Sequence, residues 1–225
     1  MNVTALVPIK QVSERLPNKN FLDFCGRPLF LKILDTLLQV PRIEKIIVNT
    51  DSEEIMRACK SLDPRIRIIE RPRQICGNDI TMNTIIDHDL GVTSGEYFLQ
   101  THCTNPLLRA DTITQAISEF FENIDQHDSL LSVEAVKKRV YKADGSPVNH
   151  SIDRLEQTQH LPEILVENSN LFLFSRSSFY AAGKSRVGRK PRFFPMSILE
   201  GIDIDYEEDL RLAELIYRNS HLLAK

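Results

Sequence analysis

An apolar run, Val3 to Ile9 (VTALVPI), breaks abruptly into a polar and cationic stretch, Lys10 to Asn20 (KQVSERLPNKN), and this junction constrains the fold most. Val3, Ala5, Leu6, Val7 and Ile9 have the density and β-branching of a short strand buried on both faces, as in a parallel sheet. Pro8 lies near the end of the run, where a strand can lose one backbone donor. Open α/β sheets bind ligands beyond the carboxyl ends of their strands. The loop that follows is therefore placed to hold the phosphates and base of a nucleotide.

The rest of the chain keeps an alternating rhythm. Arg27-Pro28 opens a helix whose apolar positions Leu29, Phe30, Ile33, Leu34, Leu37 and Leu38 keep a 3.6-residue period, and Pro41 ends it. Residues 45–50 read as a strand, and Asp51-Ser52-Glu53-Glu54 starts a helix through about Lys60, with acids at its positive end. Residues 67–69 are a short strand. Thr81 caps a helix carrying Ile85, Ile86 and Leu90. Strands follow at 96–100, 129–136 and 170–174, with a helix at 110–123 and a final helix at about 207–219. This spacing predicts a single α/β domain over residues 1–225, a three-layer and mostly parallel sheet with helices on both faces. The rhythm breaks over residues 137–168. A structureless loop of that length is improbable inside a domain, so the stretch reads as a protruding, hairpin-like arm, turning at Lys142-Ala143-Asp144-Gly145. Residues 184–192 read as a basic loop.

With 225 residues and a net charge of -3, the composition argues against a general nucleic-acid or membrane-surface binder. No apolar run approaches the roughly 20 residues that span a bilayer. The chain enters its first strand without a secretory leader pattern, so a cytoplasmic location is expected. Cys25, Cys59, Cys76 and Cys103 are scattered without a CxxC pair and read as reduced thiols.

Asp203-Ile204-Asp205 is the strongest small constellation. On a strand, residues two apart face one side. Such a pair of carboxylates suits Mg²⁺, which takes one or two carboxylates and completes its shell with substrate phosphates. The competing reading makes Asp205 the cap of the final helix. Lys10, Arg15 and Lys19 are candidates for holding a triphosphate at the first strand's end, against the alternative of a solvated surface loop. Arg186, Arg189, Lys190 and Arg192 form a basic run able to clamp an acidic substrate or simply to meet water. Gln100 and Asn105, at a strand end, read as hydrogen-bonding groups for a ligand. His102-Cys103 invites a Cys–His nucleophile reading, but sequence neighbours seldom share that geometry. Neither a GxxxxGK nor a GxGxxG loop occurs.

Together these residues resemble the acylneuraminate cytidylyltransferase (CMP-sialic acid synthetase) family, as a divergent branch. The resemblance runs in order through Pro17-Asn18-Lys19-Asn20, Gly26-Arg27-Pro28-Leu29, Asn49-Thr50-Asp51-Ser52, Arg71-Pro72 with Asp79, and Leu99-Gln100 with Thr104-Asn105-Pro106-Leu107. It continues through Glu167-Asn168, Arg186 with Gly188, Ile202-Asp203-Ile204-Asp205, Glu208-Asp209-Leu210 and Ala213-Glu214. It implies transfer of CMP from CTP to a small acidic, sialic-acid-like sugar, with release of pyrophosphate, for surface glycan synthesis. Lys10, Ser13, Arg15, Lys19 and Asn20 would bind CTP, with Arg71 and Asp79 at the nucleotide and Gln100, Asn105 and Arg186 toward the sugar. Asp203 and Asp205 would hold Mg²⁺, and residues 137–168 would be a dimerisation arm making a homodimer. Lys10 stands where the family commonly has Arg, Gln11-Val12 replace a glycine pair, and Glu14 replaces a basic residue. These departures keep two alternatives open: the same fold with another nucleotide or acceptor, or a non-catalytic nucleotide-binding protein.

Overall fold

The apolar run at the chain's start forms β1 (Val3–Ile9), buried along its whole length. Val3, Ala5, Val7 and Ile9 pack into one core and Leu6 into another, the alternation of a strand covered on both faces. The computed structural model describes residues 1–154 and 156–220. In it β2 (Ile43–Thr50) and β3 (Ile66–Glu70) extend the sheet in parallel on one side of β1, and β4 (Tyr97–Gln100) lies parallel on the other. Next come β6 (Ile164–Ser175), β5 (Ser129–Val136) and β7 (Pro191–Pro195), giving the order β3-β2-β1-β4-β6-β5-β7. β6 alone runs against its neighbours.

Helices cover both faces. α1 (Leu29–Leu38), α2 (Glu53–Cys59) and α4 (Ala110–Glu122) contribute Ile33, Leu37, Ile55, Ile113 and Ile117 to the larger core. α3 (Met82–Val92) and α5 (Arg176–Ala181) supply Ile86, Leu90 and Phe179 to the second. The last helix, α6 (Glu207–Arg218), buries Ala213 against Phe24, Leu29 and Ile204. Local capping follows the sequence: Ser52 Oγ accepts from Ile55 N–H and Thr81 Oγ1 from Thr84 N–H.

Several expectations are corrected. The strand expected at 170–174 begins at Ile164, so the irregular excursion spans 137–163 rather than 137–168. Within it Tyr141 bridges Pro147 across the Lys142–Gly145 turn, and buried Asn149 ties Val140 N–H, Lys138 C=O and Pro162 C=O together. Leu155 of that stretch lies outside the described residues. The basic run is not loop to its end, because Pro191 starts β7. The turn before β7 requires glycine. Gly188 has φ +75°, and a Cβ there would lie 2.4 Å from Asp128 Oδ1. That Asp128 carboxylate accepts the backbone N–H groups of Arg189 and Lys190 at 2.8 and 2.9 Å. Finally, residues 202–205 have no ladder pairing and are not a strand; Ile204 N–H donates to Thr104 C=O at 2.9 Å.

Candidate active site

The chain steps outward from β1 to β3 and returns to β4 on β1's other side. Strand order reversing at adjacent strands opens a crevice at their carboxyl ends. A cleft of about 360 Å³ lies there. Its walls come from the loop after β1 (Lys10, Ser13, Arg15, Lys19), the segment after β3 (Arg71, Asn78, Ile80), the loop after β4 (His102, Thr104, Asn105), Asn168 and Ser169 of β6, and Asp203 and Asp205.

The chain's beginning and end meet at Lys19. Its side chain is 11% exposed, and Nζ donates to Ile204 C=O at 2.6 Å and to Asp205 Oδ1 at 3.1 Å. Arg15 pairs with the other oxygen of Asp205. Asp205 does not cap α6. That task falls to Asp209, whose Oδ2 accepts from Tyr206 N–H at 2.8 Å and Asp205 N–H at 3.0 Å. Asp205 is thus free to organise the cationic loop. Asp203 stands exposed on the same wall, and its carboxyl is raised above the usual range. Desolvation by the surrounding protein is the main cause and the Asp205 charge adds to it, against a Thr104 hydrogen bond and the cations Lys19 and Arg15.

Asn20 is buried and staples the loop: Nδ2 donates to Lys10 C=O at 2.7 Å, and Oδ1 accepts from the Cys103 thiol at 3.3 Å. Burial pushes that thiol up to about 12, which leaves it without nucleophilic character. Lys10 Nζ reaches Asn78 Oδ1 at 3.1 Å while Asn78 Nδ2 donates to Glu14, so Asn78 bridges the loop to the far wall. Arg71 lines the cleft from a buried position. Its Nε donates to Asn49 Oδ1 at 2.7 Å and Nη2 to Asn49 C=O at 2.9 Å, and Asn49 in turn donates to buried Asp89 of α3. Burial lowers the Arg71 pKa and raises that of Asp89.

Not every expected residue reaches the cleft. Asp79 is exposed but is absent from its walls, where Gly77, Asn78 and Ile80 stand instead. Gln100 is fully buried beneath His102, and Arg186 bonds Gln100 Oε1 from behind, its guanidinium 3.8 Å from the centre of the Phe172 ring. Asn105 lines the cleft with its amide turned to Ile202 C=O at 3.2 Å. Nothing in the sequence marked Asn78 or Ser169, and Asn168, quoted for the resemblance, had no role assigned to it there. Ser169 carries a positive φ of 54° on β6, at an irregularity in its pairing with β5. Asn78 stands beside the quoted Asp79, but an isolated Asn in a loop gives no signal of its own.

His102 has a pKa pushed down to about 4, chiefly by burial and further by the Arg186 and Lys19 charges. An unfolded histidine titrates near 6.5. Between those values the unfolded chain holds the extra proton, so stability falls as pH drops from about 6.5 toward 4, by at most about 3 kcal/mol. Asp203, raised rather than lowered, acts in the opposite sense near pH 4, and a comparison of variants separates the two. His102→Asn is expected to lose less melting temperature than the parent over that interval in a pH series of thermal melts. Parallel curves for the two proteins would show that the imidazole is not desolvated.

The strand reversal and the cleft beyond it are the arrangement in which open α/β folds bind their ligands. A family model described as cytidylyltransferase matches residues 4–223, and the chain belongs to this family. Its class of reaction is cytidylyl transfer from CTP. It is 19% identical to a pseudaminic acid cytidylyltransferase of Campylobacter jejuni over 98% of both chains. It is 24% identical to an N-acylneuraminate cytidylyltransferase of Escherichia coli over 97% of this chain and 53% of that protein. Among solved structures, a CMP:2-keto-3-deoxy-manno-octonic acid synthetase complexed with CTP aligns with TM-score 0.70 and 14% identity, covering 98% of this chain and all of that one.

Proposed function

We propose that the enzyme transfers CMP from CTP to a hydroxyl of a sialic-acid-like sugar acid, producing an activated sugar for glycan synthesis and releasing pyrophosphate. The observation that carries this reading is Lys19, fixed between Ile204 C=O and Asp205 on the wall that also presents Asp203. Relatives matched over nearly all of this chain are named for pseudaminic acid and N-acylneuraminate, the first over nearly its own whole length and the second over 53% of it.

Lys10, Arg15 and Lys19 meet the triphosphate and offset charge as pyrophosphate leaves. The sugar oxygen bonds to the α-phosphorus as the bond from that phosphorus to pyrophosphate breaks, and the hydroxyl proton is lost. Arg71, braced by Asn49 and Asp89, stands on the nucleoside side with the apolar Ile80, Met82 and Ile85. Among the described residues no group of three His, Cys, Asp or Glu gathers to hold a metal unaided. Two hard carboxylates on one cleft wall suit Mg²⁺, so Asp203 and Asp205 would hold that ion. When bound it neutralises charge on the phosphate oxygens.

We further assign residues 137–163 to contact with a second copy in a homodimer, supported by exposed Tyr141, Val148 and Ile152 and by Leu165 and Val166 on adjoining β6. Among the described residues no helix is long and apolar enough to cross a membrane.

The test is pyrophosphate release from CTP and Mg²⁺ with pseudaminate, N-acylneuraminate and 3-deoxy-manno-octulosonate as acceptors. Release with at least one acid, and with CTP above UTP, GTP or ATP, is expected. No release from any combination would end the proposal.

A further inference from the structure

The geometry points to His102 as the residue that reads an uncharged oxygen of the acceptor sugar, through Nδ1–H, with Gln100 and Arg186 as the positioning residues that keep that nitrogen protonated. This rests on the acceptor reading above and deepens it.

Arginine can only donate hydrogen bonds, so the partner of Arg186 Nη1 must be the carbonyl oxygen of the Gln100 amide. That fixes which end of the amide is nitrogen. Gln100 Nε2 then donates to Thr101 C=O at 2.9 Å and faces His102 Nε2 at 3.2 Å. A donor facing the ring nitrogen requires that nitrogen to be bare, so the neutral ring carries its proton on Nδ1. Arg186 is itself held by its stack on Phe172 and by the Glu167 charge, while burial lowers its pKa to about 10. The amide therefore has no freedom to turn over.

No described residue bonds His102 Nδ1, and it is not among the buried polar atoms left without partners, so the cleft's solvent reaches it. His102 follows β4, beside Asn168 and Ser169 of β6. The nucleoside side, Arg71 and Asn78, lies across β1 at the ends of β2 and β3. A donor on the β4–β6 side thus faces the acceptor. Burial and the Arg186 and Lys19 charges keep it uncharged. A neutral donor suits a hydroxyl or an acyl carbonyl of the sugar rather than its carboxylate, which calls for a charged partner.

Two measurements test this. In the free enzyme, ¹⁵N imidazole shifts at pH 7 are expected to show His102 protonated at Nδ1 and bare at Nε2. Gln100→Glu, which puts an acceptor in place of the donor, is expected to reverse the two. A wild-type ring protonated at Nε2, or at both nitrogens, overturns the inference whatever the substrate. In steady-state kinetics with the sugar acid that wild type uses, His102→Leu is expected to raise the acceptor KM about tenfold, the worth of one neutral hydrogen bond. The KM for CTP should stay within about twofold on the same scale. His102→Asn, whose amide nitrogen can stand near Nδ1, should recover most of the loss. Equal changes in both KM values, or no change in either, overturn it. Wild type turning over no acid would instead refute the acceptor reading, and the tautomer would still be decided by the shifts.

Discussion

Replacing Lys19 with Ala is expected to lower kcat/KM for CTP by about 10²–10³-fold, the cost of removing one preorganised charge from a phosphate-transfer site. Lys19 is the least dispensable cation because it has two tasks. It carries charge into the cleft, and its Nζ ties the loop after β1 to Ile204 C=O and Asp205, residues nearly the whole chain away. Arg15, 57% exposed, reaches the same carboxylate from solvent and is expected to matter less, because exposed pairs are screened. Lys19→Arg should recover part of the rate by restoring charge, without restoring the narrow donation to Ile204 C=O. Pre-steady-state turnover with saturating acceptor reads both variants. A Lys19→Ala enzyme within a few-fold of wild type would remove the cation from the mechanism.

The second large effect concerns stability. Phe174 lies fully buried in β6, its ring 6.1 Å from Phe98 of β4 and 5.7 Å from Phe179 of α5. It joins the antiparallel half of the sheet to the parallel half. Phe174→Ala is expected to cost about 3–5 kcal/mol, combining lost transfer free energy with a cavity that rigid neighbours cannot close. For a chain of this size that is a melting temperature lower by about 10 °C. Urea unfolding should show a lower midpoint with an unchanged slope. A loss below about 1 kcal/mol would mean that α5 and β4 collapse into the gap.

The parallel half of the fold was legible because burial wrote itself into residue spacing. β1 is apolar but for Thr4, β2 carries Ile46-Ile47-Val48 at its centre, and α1 keeps its face through Leu29, Ile33 and Leu37. The other half was less readable for identifiable reasons. The first part of β6 leaves Leu165, Val166 and Glu167 all exposed, so no alternation marks it. β7 is bracketed by Pro191 and Pro195 and sits at an edge, where proline is tolerated but gives no strand signal. α5 has six residues, too few for a period, and its capping box of Ser175 and Ser178 was its only cue.

The site divides similarly. Lys10, Arg15, Lys19, Asp203 and Asp205 were visible as charges at loop positions, and all line one cleft. Gln100 and Arg186 were visible as polar residues, but they bond one another behind His102. Sequence shows that a polar group exists, and packing alone decides whether it faces a ligand or another side chain. The Asn49–Arg71–Asp89 chain links three separate elements and left no local pattern to find.

The central claim is that cations following β1 and carboxylates preceding α6 form one site for a nucleoside triphosphate with its metal. CTP-induced thermal shift, with and without Mg²⁺, tests it most directly in wild type and in Asp203→Asn. At a ligand concentration near 100 times Kd, wild type should gain roughly 5–10 °C. Part of that gain should require Mg²⁺, and that part should vanish in Asp203→Asn. A CTP shift of the same size in both proteins, with or without Mg²⁺, would contradict the account.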